Sequence, residues 1–301
     1  DSDTLSISSI DTTQTQGSVT LNTDGTVTYN PGTAFQSLVA GETATDTFSY
    51  SLSDGNGGSD TAVVTVTVTG IDEPDIPVFF SDATNFAVGD NPYGEGMGIA
   101  DFNLDGNLDI AVANLSSNNV SVLLGNGNGS FSPANNFGIS NNPFSVAVGD
   151  FNGDEKPDFA VTRTIDGKVS VRLGDGAGGF SSAGDFNVGT NPHQVVVGDF
   201  NSDNKLDLAV ANWGSKNVSV LLGNGLGGFS GATNFGVGTN PRQVAVADFN
   251  SDSHPDIVVS NWGSNTVSVL LGNGSGNFSP ATNFTVGTHP GSVAVGDFNA
   301  D

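Results

Sequence analysis

Short apolar runs, punctuated by polar and glycine-rich turns, recur along most of the chain. Ile110-Ala111-Val112-Ala113 and Leu208-Ala209-Val210-Ala211 are two of them; each leads through a polar turn to a second run, such as Val218-Ser219-Val220-Leu221-Leu222. A Gly-rich turn follows, written GNGNGSF, GDGAGGF, GNGLGGF or GNGSGNF, and ends at Phe131, Phe180, Phe229 or Phe278. A third run passes through Phe137, Phe186, Phe235 or Phe284 to an Asn-Pro or His-Pro turn, and a fourth, such as Ser145-Val146-Ala147-Val148, leads onward. Runs this short, rich in β-branched residues and bounded by turn formers, read as four antiparallel strands per unit. No stretch shows helical periodicity.

The units recur every 49 residues. A four-stranded unit of that length with Gly turns is what a β-propeller blade requires, because each small sheet buries both faces against its neighbours. An extended β-solenoid is the competitor, but solenoid coils are shorter and keep their strands parallel, which tight turns disfavour. With 36% apolar residues and 42 glycines, the chain has material for inter-blade cores but little for one large globule.

Residues 1–72 follow another pattern. Gly17-Ser18-Val19-Thr20-Leu21 and Asp24-Gly25-Thr26-Val27-Thr28-Tyr29 alternate as a hairpin around an Asp-Gly turn. A strand at Asp46–Leu52, the turn DGNGGSD and a Val/Thr run from Thr61 to Thr69 predict a second hairpin. DGNGGSD also looks like one copy of a calcium-binding nonapeptide repeat, but a single copy reads better as a turn. The acidic, proline-stiffened stretch Ile71-Asp72-Glu73-Pro74-Asp75 reads as a hinge. The expected division is a domain at 1–72, a linker at 73–77 and a repeat domain at 78–301, with the chain beginning mid-domain and stopping inside a loop. The fold class expected is therefore all-β: a partial β-propeller of four-stranded blades after a small N-terminal β-sandwich.

Candidate chemistry lies in an acidic phrase beginning at Asp101, Asp150, Asp199, Asp248 and Asp297, with the common form D-x-N-x-D-x-x-x-D. Calcium takes 6–8 oxygen ligands, and a short loop supplies them by curling so that alternate side chains and one carbonyl point inward. In the first copy Asp101, Asn103, Asp105 and Asp109 are candidate side-chain ligands, and Asn107 offers its carbonyl at position 7. The second copy offers Asp150, Asn152, Asp154 and Asp158 with the carbonyl of Lys156; the third offers Asp199, Asn201, Asp203 and Asp207 with that of Lys205. The fourth offers Asp248, Asn250, Asp252 and Asp256 with the carbonyl of His254, and the last keeps only Asp297, Asn299 and Asp301. Side chains at position 7 are free to vary, so Lys156, Lys205 and His254 do no harm there.

Gly106 at position 6 permits a left-handed turn and Asn204 tolerates one, whereas Glu155 and Ser253 would cost roughly 1 kcal/mol there. On that basis the first loop is expected to bind best and the third next. Asp, Asn and Gly also make good turns by capping their own backbone, which would account for a single copy. Four complete copies, each keeping every side-chain ligand, point to calcium.

These residues carry a resemblance. The unit VAVGDFNGDEKPDFAV followed by VSVRLGDGAGGF resembles the FG-GAP/VCBS repeat of integrin α-chain propellers and bacterial surface proteins, over roughly three quarters of the chain. The resemblance implies a propeller with calcium in the loop between a blade's first two strands. The phrase AGETATDTFSYSLSDGNGGSDTAVVTVTVTG resembles the VCBS-type cadherin-like domain, an immunoglobulin-like sandwich that adhesins string into stalks. In such arrays linkers can bind calcium, which makes Asp72, Glu73 and Asp75 candidates beside their reading as a solvated hinge.

Charge narrows the partners. There are 32 acidic against 7 basic residues, and a net charge of −25 repels nucleic acid and anionic lipid. No cysteine is present, which leaves metal ions as the available staple. No apolar run approaches the roughly 20 residues of a membrane span. An extracellular or cell-surface setting, bacterial by the resemblance, follows as the expectation.

Alternating strands place the acidic loops and Gly-rich turns on one rim, and the Asn-Pro turns and second-strand turns on the other. The second rim has a constant frame with changing tips, which is what recognition surfaces look like: Tyr93, Phe144, His193, Arg242 and Gly291 occupy equivalent positions. Trp213 and Trp262, in Asn-Trp-Gly-Ser turns, either stack on a sugar whose hydroxyls meet the neighbouring Asn and Ser or plug the gap between blades. His193, His254 and His289 are too scattered to form a metal or catalytic group. There is no Cys nucleophile, G-x-S-x-G elbow, phosphate-binding loop or H-E-x-x-H helix, and the carboxylates sit at ligand spacing in every repeat rather than as one asymmetric pair. The expected function is a non-enzymatic, calcium-binding adhesion or ligand-binding module for a glycan or cell-surface protein. The alternatives are an accessory region of a secreted polysaccharide-degrading enzyme and a purely structural stalk.

Overall fold

The computed structural model describes residues 5–71 and 83–297, except for the side chains of 93–96. It divides into two compact units, Asp1–Ala83 and Thr84–Asp301. The expected linker at 73–77, with Asp72, Glu73 and Asp75, lies outside the described residues, as do Asn299 and Asp301.

In the first unit, β1 (Ser6–Asp11), β4 (Thr43–Ser53) and β5 (Ser59–Thr69) form one sheet in the order β1-β4-β5, while β2 (Ser18–Leu21) and β3 (Val27–Asn30) form a hairpin. β1 went unread in the sequence because SISSID carries few apolar residues. The DGNGGSD segment is the hairpin turn between β4 and β5, closed by Asp54, whose Oδ1 accepts the N–H groups of Asn56 and Gly58 at 2.8 and 2.9 Å. Asp46 is 2% exposed and joins the two sheets. Its carboxylate accepts the N–H groups of Gln16 and Gly17 and the hydroxyl of Tyr29, the last at 2.8 Å. Burial pushes the Asp46 carboxyl up, but the N–H groups of Gly17 and Gln16 and the Tyr29 hydroxyl outweigh it and hold the pKa down at about 2.

The second unit contains four sheets of four antiparallel strands each. They are β6 (Pro92–Ala100), β7 (Asp109–Asn114), β8 (Asn119–Leu123) and β9 (Asn135–Gly138); β10 (Pro143–Gly149), β11 (Asp158–Arg163), β12 (Lys168–Gly174) and β13 (Phe180–Asn187). Then follow β14 (Pro192–Gly198), β15 (Asp207–Asn212), β16 (Asn217–Leu221) and β17 (Thr233–Gly236); and β18 (Pro241–Ala247), β19 (Asp256–Asn261), β20 (Thr266–Leu270) and β21 (Thr282–Thr285). Strands within each sheet are paired in chain order. The blade therefore starts with the strand before the acidic loop, and the Asn-Pro turn carries the chain to the next blade. The first strands stand side by side, β6 against β10, β10 against β14 and β14 against β18.

Three apolar cores fill the spaces between blades. Strands β11, β15 and β19 are buried at every residue, so both their faces are covered and their sequences read as continuous rather than alternating apolar runs. Phe102, Phe151 and Phe200, the second residue of each acidic phrase, sit edge-on to Phe180, Phe229 and Phe278 of the following blade at 5.4, 5.6 and 5.6 Å. The Gly-rich turn of that blade closes the contact: Gly178 donates its N–H to the Phe102 carbonyl and Gly227 to that of Phe151. A Cβ on Gly227 would approach Leu173 to 3.1 Å from a backbone at φ +81°, so this position demands glycine twice over. No helix occurs among the described residues.

Candidate metal loops and the opposite rim

Each acidic loop folds by capping itself. Asp101 accepts the N–H groups of Asp105 and Gly106 at 3.0 and 2.7 Å, Asn103 Oδ1 accepts that of Asp105 at 3.2 Å, and Asp105 Oδ1 accepts that of Asn107 at 2.8 Å. The same bonds recur from Asp150, Asn152 and Asp154, from Asp199, Asn201 and Asp203, and from Asp248, Asn250 and Asp252. Asp109, Asp158, Asp207 and Asp256 have no exposed surface. In each, one oxygen accepts the N–H of the phrase's Phe and the other that of a glycine in the Gly-rich turn, Gly125, Gly174, Gly223 or Gly272. This bridging role at position 9 was not read from the sequence.

Position 6 is left-handed in all four loops, at Gly106, Glu155, Asn204 and Ser253, so the loops curl alike whatever residue stands there. Position 4 is left-handed as well, at Leu104, Gly153, Ser202 and Ser251. The ranking from position 6 alone is thus incomplete: the first two loops each have one glycine at a left-handed position, and the third and fourth have none. Position 7 is not indifferent either. Lys156 and Lys205 place Nζ 3.3 Å from Asp154 and Asp203 of their own loops, while Asn107 and His254 bring no such ammonium. The position-7 side chain also lies over the Gly-rich turn, where a Cβ on Gly225 would come within 2.9 Å of Lys205.

The electrostatics of the loop follow from this crowding. Burial pushes the Asp158 carboxyl up to about 6, with Asp154 and Asp150 adding to the rise against the N–H groups of Gly174 and Phe151. Burial likewise raises Asp109, helped by Asp101 and Asp105, and raises Asp207, helped by Asp203 and Asp199. Each loop offers three carboxylates, an amide and a carbonyl, all of them oxygen donors, the ligand type a hard divalent cation takes. Among the described residues, however, no three Asp, Glu, His or Cys side chains gather closely enough to hold a metal ion. Of the incomplete last phrase, only Asp297 lies within the described residues.

At the other end, backbone bonds tie the Asn-Pro turns to the second-strand turns, with Trp213 N–H on Asn191 and Trp262 N–H on Asn240, both at 3.0 Å. The structure brings together most of the residues expected to form a ligand rim. His193 stacks on Trp213 at 4.8 Å between ring centroids and meets Phe144 at 4.4 Å. Arg242 lies 5.2 Å over the Trp262 ring, which also stacks on His289 at 4.9 Å. Both tryptophans are half-buried, so they pack against their neighbours and still present surface. The side chain of Tyr93 lies outside the described residues. Burial, then the charge of Arg242, lowers the His193 pKa to about 4, and its Nδ1 is buried without a partner among the described residues.

One expectation is corrected. The asparagines beside the tryptophans do not face a ligand: Asn212 and Asn261 are fully buried, and their amides bond Ser219 and Ser268 at 2.8 Å. Each serine hydroxyl in turn donates to the next strand, to Asn234 Oδ1 and Asn283 Oδ1 at 2.6 Å, and the first blade repeats this ladder with Asn114, Ser121 and Asn136. In the second blade the equivalent residues are Arg163 and Asp185, joined as an ion pair across Ser170, with Asp166 as a second partner of Arg163. That substitution was visible in the sequence as a charged pair at the 49-residue spacing.

The sequence matches the FG-GAP-like repeat family over residues 101–161, 150–210, 199–259 and 248–301, and the bacterial cadherin-like domain over 1–70. No curated protein matches it significantly. Among solved structures, a protein from Lactobacillus plantarum is similar with a TM-score of 0.51 at 15% identity, covering 89% of this chain and 77% of its own. The periplasmic gluconolactonase of Pseudomonas aeruginosa aligns at a TM-score of 0.49 and 17% identity over 63% of this chain and 54% of its own. BBS1N, solved in complex with ARL6DN, aligns at 0.48 and 15% identity over 67% and 59%. The chain thus spans little more than half the length of these last two. Both families are typical of surface or adhesion-type modules. By the extent of the repeat match and the four-stranded sheets it forms, this chain belongs to the FG-GAP-like repeat family, with a bacterial cadherin-like domain ahead of the repeats.

Proposed function

We propose that the chain is a non-catalytic, surface-displayed ligand-binding module whose blades are stiffened by calcium in the acidic loops and whose opposite rim binds a glycan. The observation that carries the calcium reading is the fourfold recurrence of one oxygen-only donor set with one hydrogen-bond pattern. An ionised carboxylate has about four acceptor sites, and the N–H bonds to Asp109 use one on each oxygen. Calcium would be held by Asp101, Asn103, Asp105 and Asp109 with the Asn107 carbonyl, and by the equivalent residues of the next three loops. Bound there, the cation would offset the repulsion among the loop's carboxylates and lock the loop.

If each site has a Kd near 10⁻⁴ M, ten times that concentration of calcium stabilises by about 1.4 kcal/mol per site. The sum over the complete loops, roughly 5–6 kcal/mol, is comparable to the net stability of a domain. The module is then firm outside the cell and loose within it. Thermal melting in millimolar calcium and in EDTA tests this: a melting temperature that falls by many degrees in EDTA is expected, and an unchanged one would overturn it.

A further inference from the structure

Thr84–Val88 lies against the first blade as the outer strand of a blade before it would. Its sequence, Thr-Asn-Phe-Ala-Val, repeats Thr233–Val237 and Thr282–Val286, which contain the outer strands β17 and β21. The ring contact is the repeat's own: Phe86 meets Phe131 edge-on at 5.2 Å, as Phe137 meets Phe180 at 5.1 Å and Phe235 meets Phe278 at 5.3 Å. The turn that follows is docked alike, with Leu115 N–H on Asn91 and Ser116 N–H on Asp90 where Trp213 and Gly214 use Asn191 and Thr190. Phe86 is half-buried between exposed Asn85 and exposed Ala87, which is the pattern of β9 and β17.

What differs is the other edge. β9, β13, β17 and β21 each pair with the third strand of their blade, whereas no strand pairs with Thr84–Val88 among the described residues. The Gly-rich turn of the first blade is open at the corresponding point. Leu124, Leu173 and Leu222, from the third runs of the first three blades, lie 3.2, 3.1 and 2.8 Å from where a Cβ on Gly178, Gly227 and Gly276 of the following blade would stand. Nothing lies within 4 Å of that place at Gly129. A single third strand would meet both the free edge and the open glycine. In the repeat that run reads Asn-Val-Ser-Val-Leu-Leu and pairs antiparallel, with Val120 opposite Phe137 and Val218 opposite Phe235. Its serine stands opposite the asparagine and donates to it, Ser121 to Asn136 and Ser219 to Asn234, both at 2.6 Å.

We infer that Thr84–Val88 is the outer strand of the blade that closes the ring, and that it receives that blade's third strand by antiparallel addition. The incoming strand has the form Asn-Val-Ser-Val-Leu-Leu, with its first Val opposite Phe86, its Ser opposite Asn85 and its last Leu over Gly129. The far end of the repeats supplies the matching piece: Val293 N–H bonds Gln243 Oε1 as Val244 N–H bonds Gln194, so a further first strand is already begun there. A second copy is the poorer donor, because β8, β12, β16 and β20 are each paired on both sides. The inference stands apart from the calcium and glycan readings.

A synthetic peptide copying Lys216–Gly223 carries such a strand and serves as the probe. It is titrated into the full chain while amide hydrogen exchange is followed by mass spectrometry. The expected result is a saturable slowing of exchange across Thr84–Val88, with no slowing from a peptide of the same composition in shuffled order. Asn85→Ala in the chain and Ser219→Ala in the peptide should each weaken binding about fivefold, and together by no more than either alone, with the chain's melting temperature unchanged. Additive losses, or equal slowing by the shuffled peptide, would overturn the inference. Slowing that appears without peptide and grows with protein concentration would overturn it in favour of pairing between copies. No slowing at millimolar peptide would overturn it outright.

Discussion

Asp158 and Gly174 are joined across their blade: one oxygen of the buried carboxylate accepts the Gly174 N–H at 2.8 Å, while the other holds the Phe151 N–H at 2.8 Å. The acidic loop is thereby fixed to the Gly-rich turn with or without a metal. Asp158→Ala leaves two buried donors unpaired and is expected to cost about 2–3 kcal/mol in EDTA as well as in calcium. Asp154→Ala, which removes a proposed calcium ligand but no such bridge, is expected to cost stability mainly in calcium. Paired denaturation curves in the two conditions check this; an Asp158→Ala loss seen only in calcium would make position 9 a ligand alone.

Left-handed backbone sets a second expectation. Ser253 has a φ of +67°, and its replacement by glycine should stabilise the fourth loop by about 1 kcal/mol. Gly106 has a φ of +87° with nothing within 4 Å of the place a Cβ would occupy. Gly106→Ala should therefore lose about 1 kcal/mol from backbone strain alone. Urea unfolding of the two variants, compared at equal slope, measures both.

The ion pair of the second blade can be turned back into the amide ladder of the others. Arg163→Asn alone strands Asp166 and Asp185 without their cation and is expected to destabilise by about 2–3 kcal/mol. Asp185→Asn in the same chain should recover most of that loss, because Asn-Ser-Asn already works in the other three blades. A double-mutant cycle with no coupling between the two positions would show that the pair does not act as one unit.

In the cadherin-like unit the pH dependence follows from Asp46. Its folded pKa of about 2 lies below the ordinary 3.8, so the folded state binds fewer protons than the unfolded one over that interval. The stability Asp46 supplies is complete above about pH 4 and is lost as pH falls toward 2. Tyr29→Phe, which removes one donor to the carboxylate, should shift that loss to higher pH. An acid titration of this unit's unfolding, with and without the substitution, reads the shift.

Much of this was legible because the repeat multiplies each signal. The strand runs around Val112, Val161, Val210 and Val259, the Gly-rich turns and the two rims all follow from periodicity. The Asp-Gly hairpin at Asp24 needed only its turn chemistry. What periodicity hides is what every copy shares. Asp109 and its equivalents look like any other loop carboxylate until their burial and their two N–H partners are seen. The left-handed residue at Leu104 carries no signal, because leucine gives no hint of such a backbone. Asn212 reads as a sugar-binding neighbour of Trp213, since nothing in a sequence says that one turn residue faces out and the one before it faces in. Arg163 and Asp185 were legible but needed comparison across blades, where a charged pair replaces a neutral one at both positions together.

The most direct test of the account is the amount of calcium the chain holds. Equilibrium dialysis against increasing calcium, with metal analysis of both compartments, should show up to four ions per chain, one for each complete loop. The loops of Asn107 and His254 should fill before those of Lys156 and Lys205, whose ammonium groups already lie beside a loop carboxylate. Lys156→Asn and Lys205→Asn should therefore tighten the weaker class. No calcium retained at millimolar concentration would contradict the account, leaving the acidic loops as turns held only by their own hydrogen bonds.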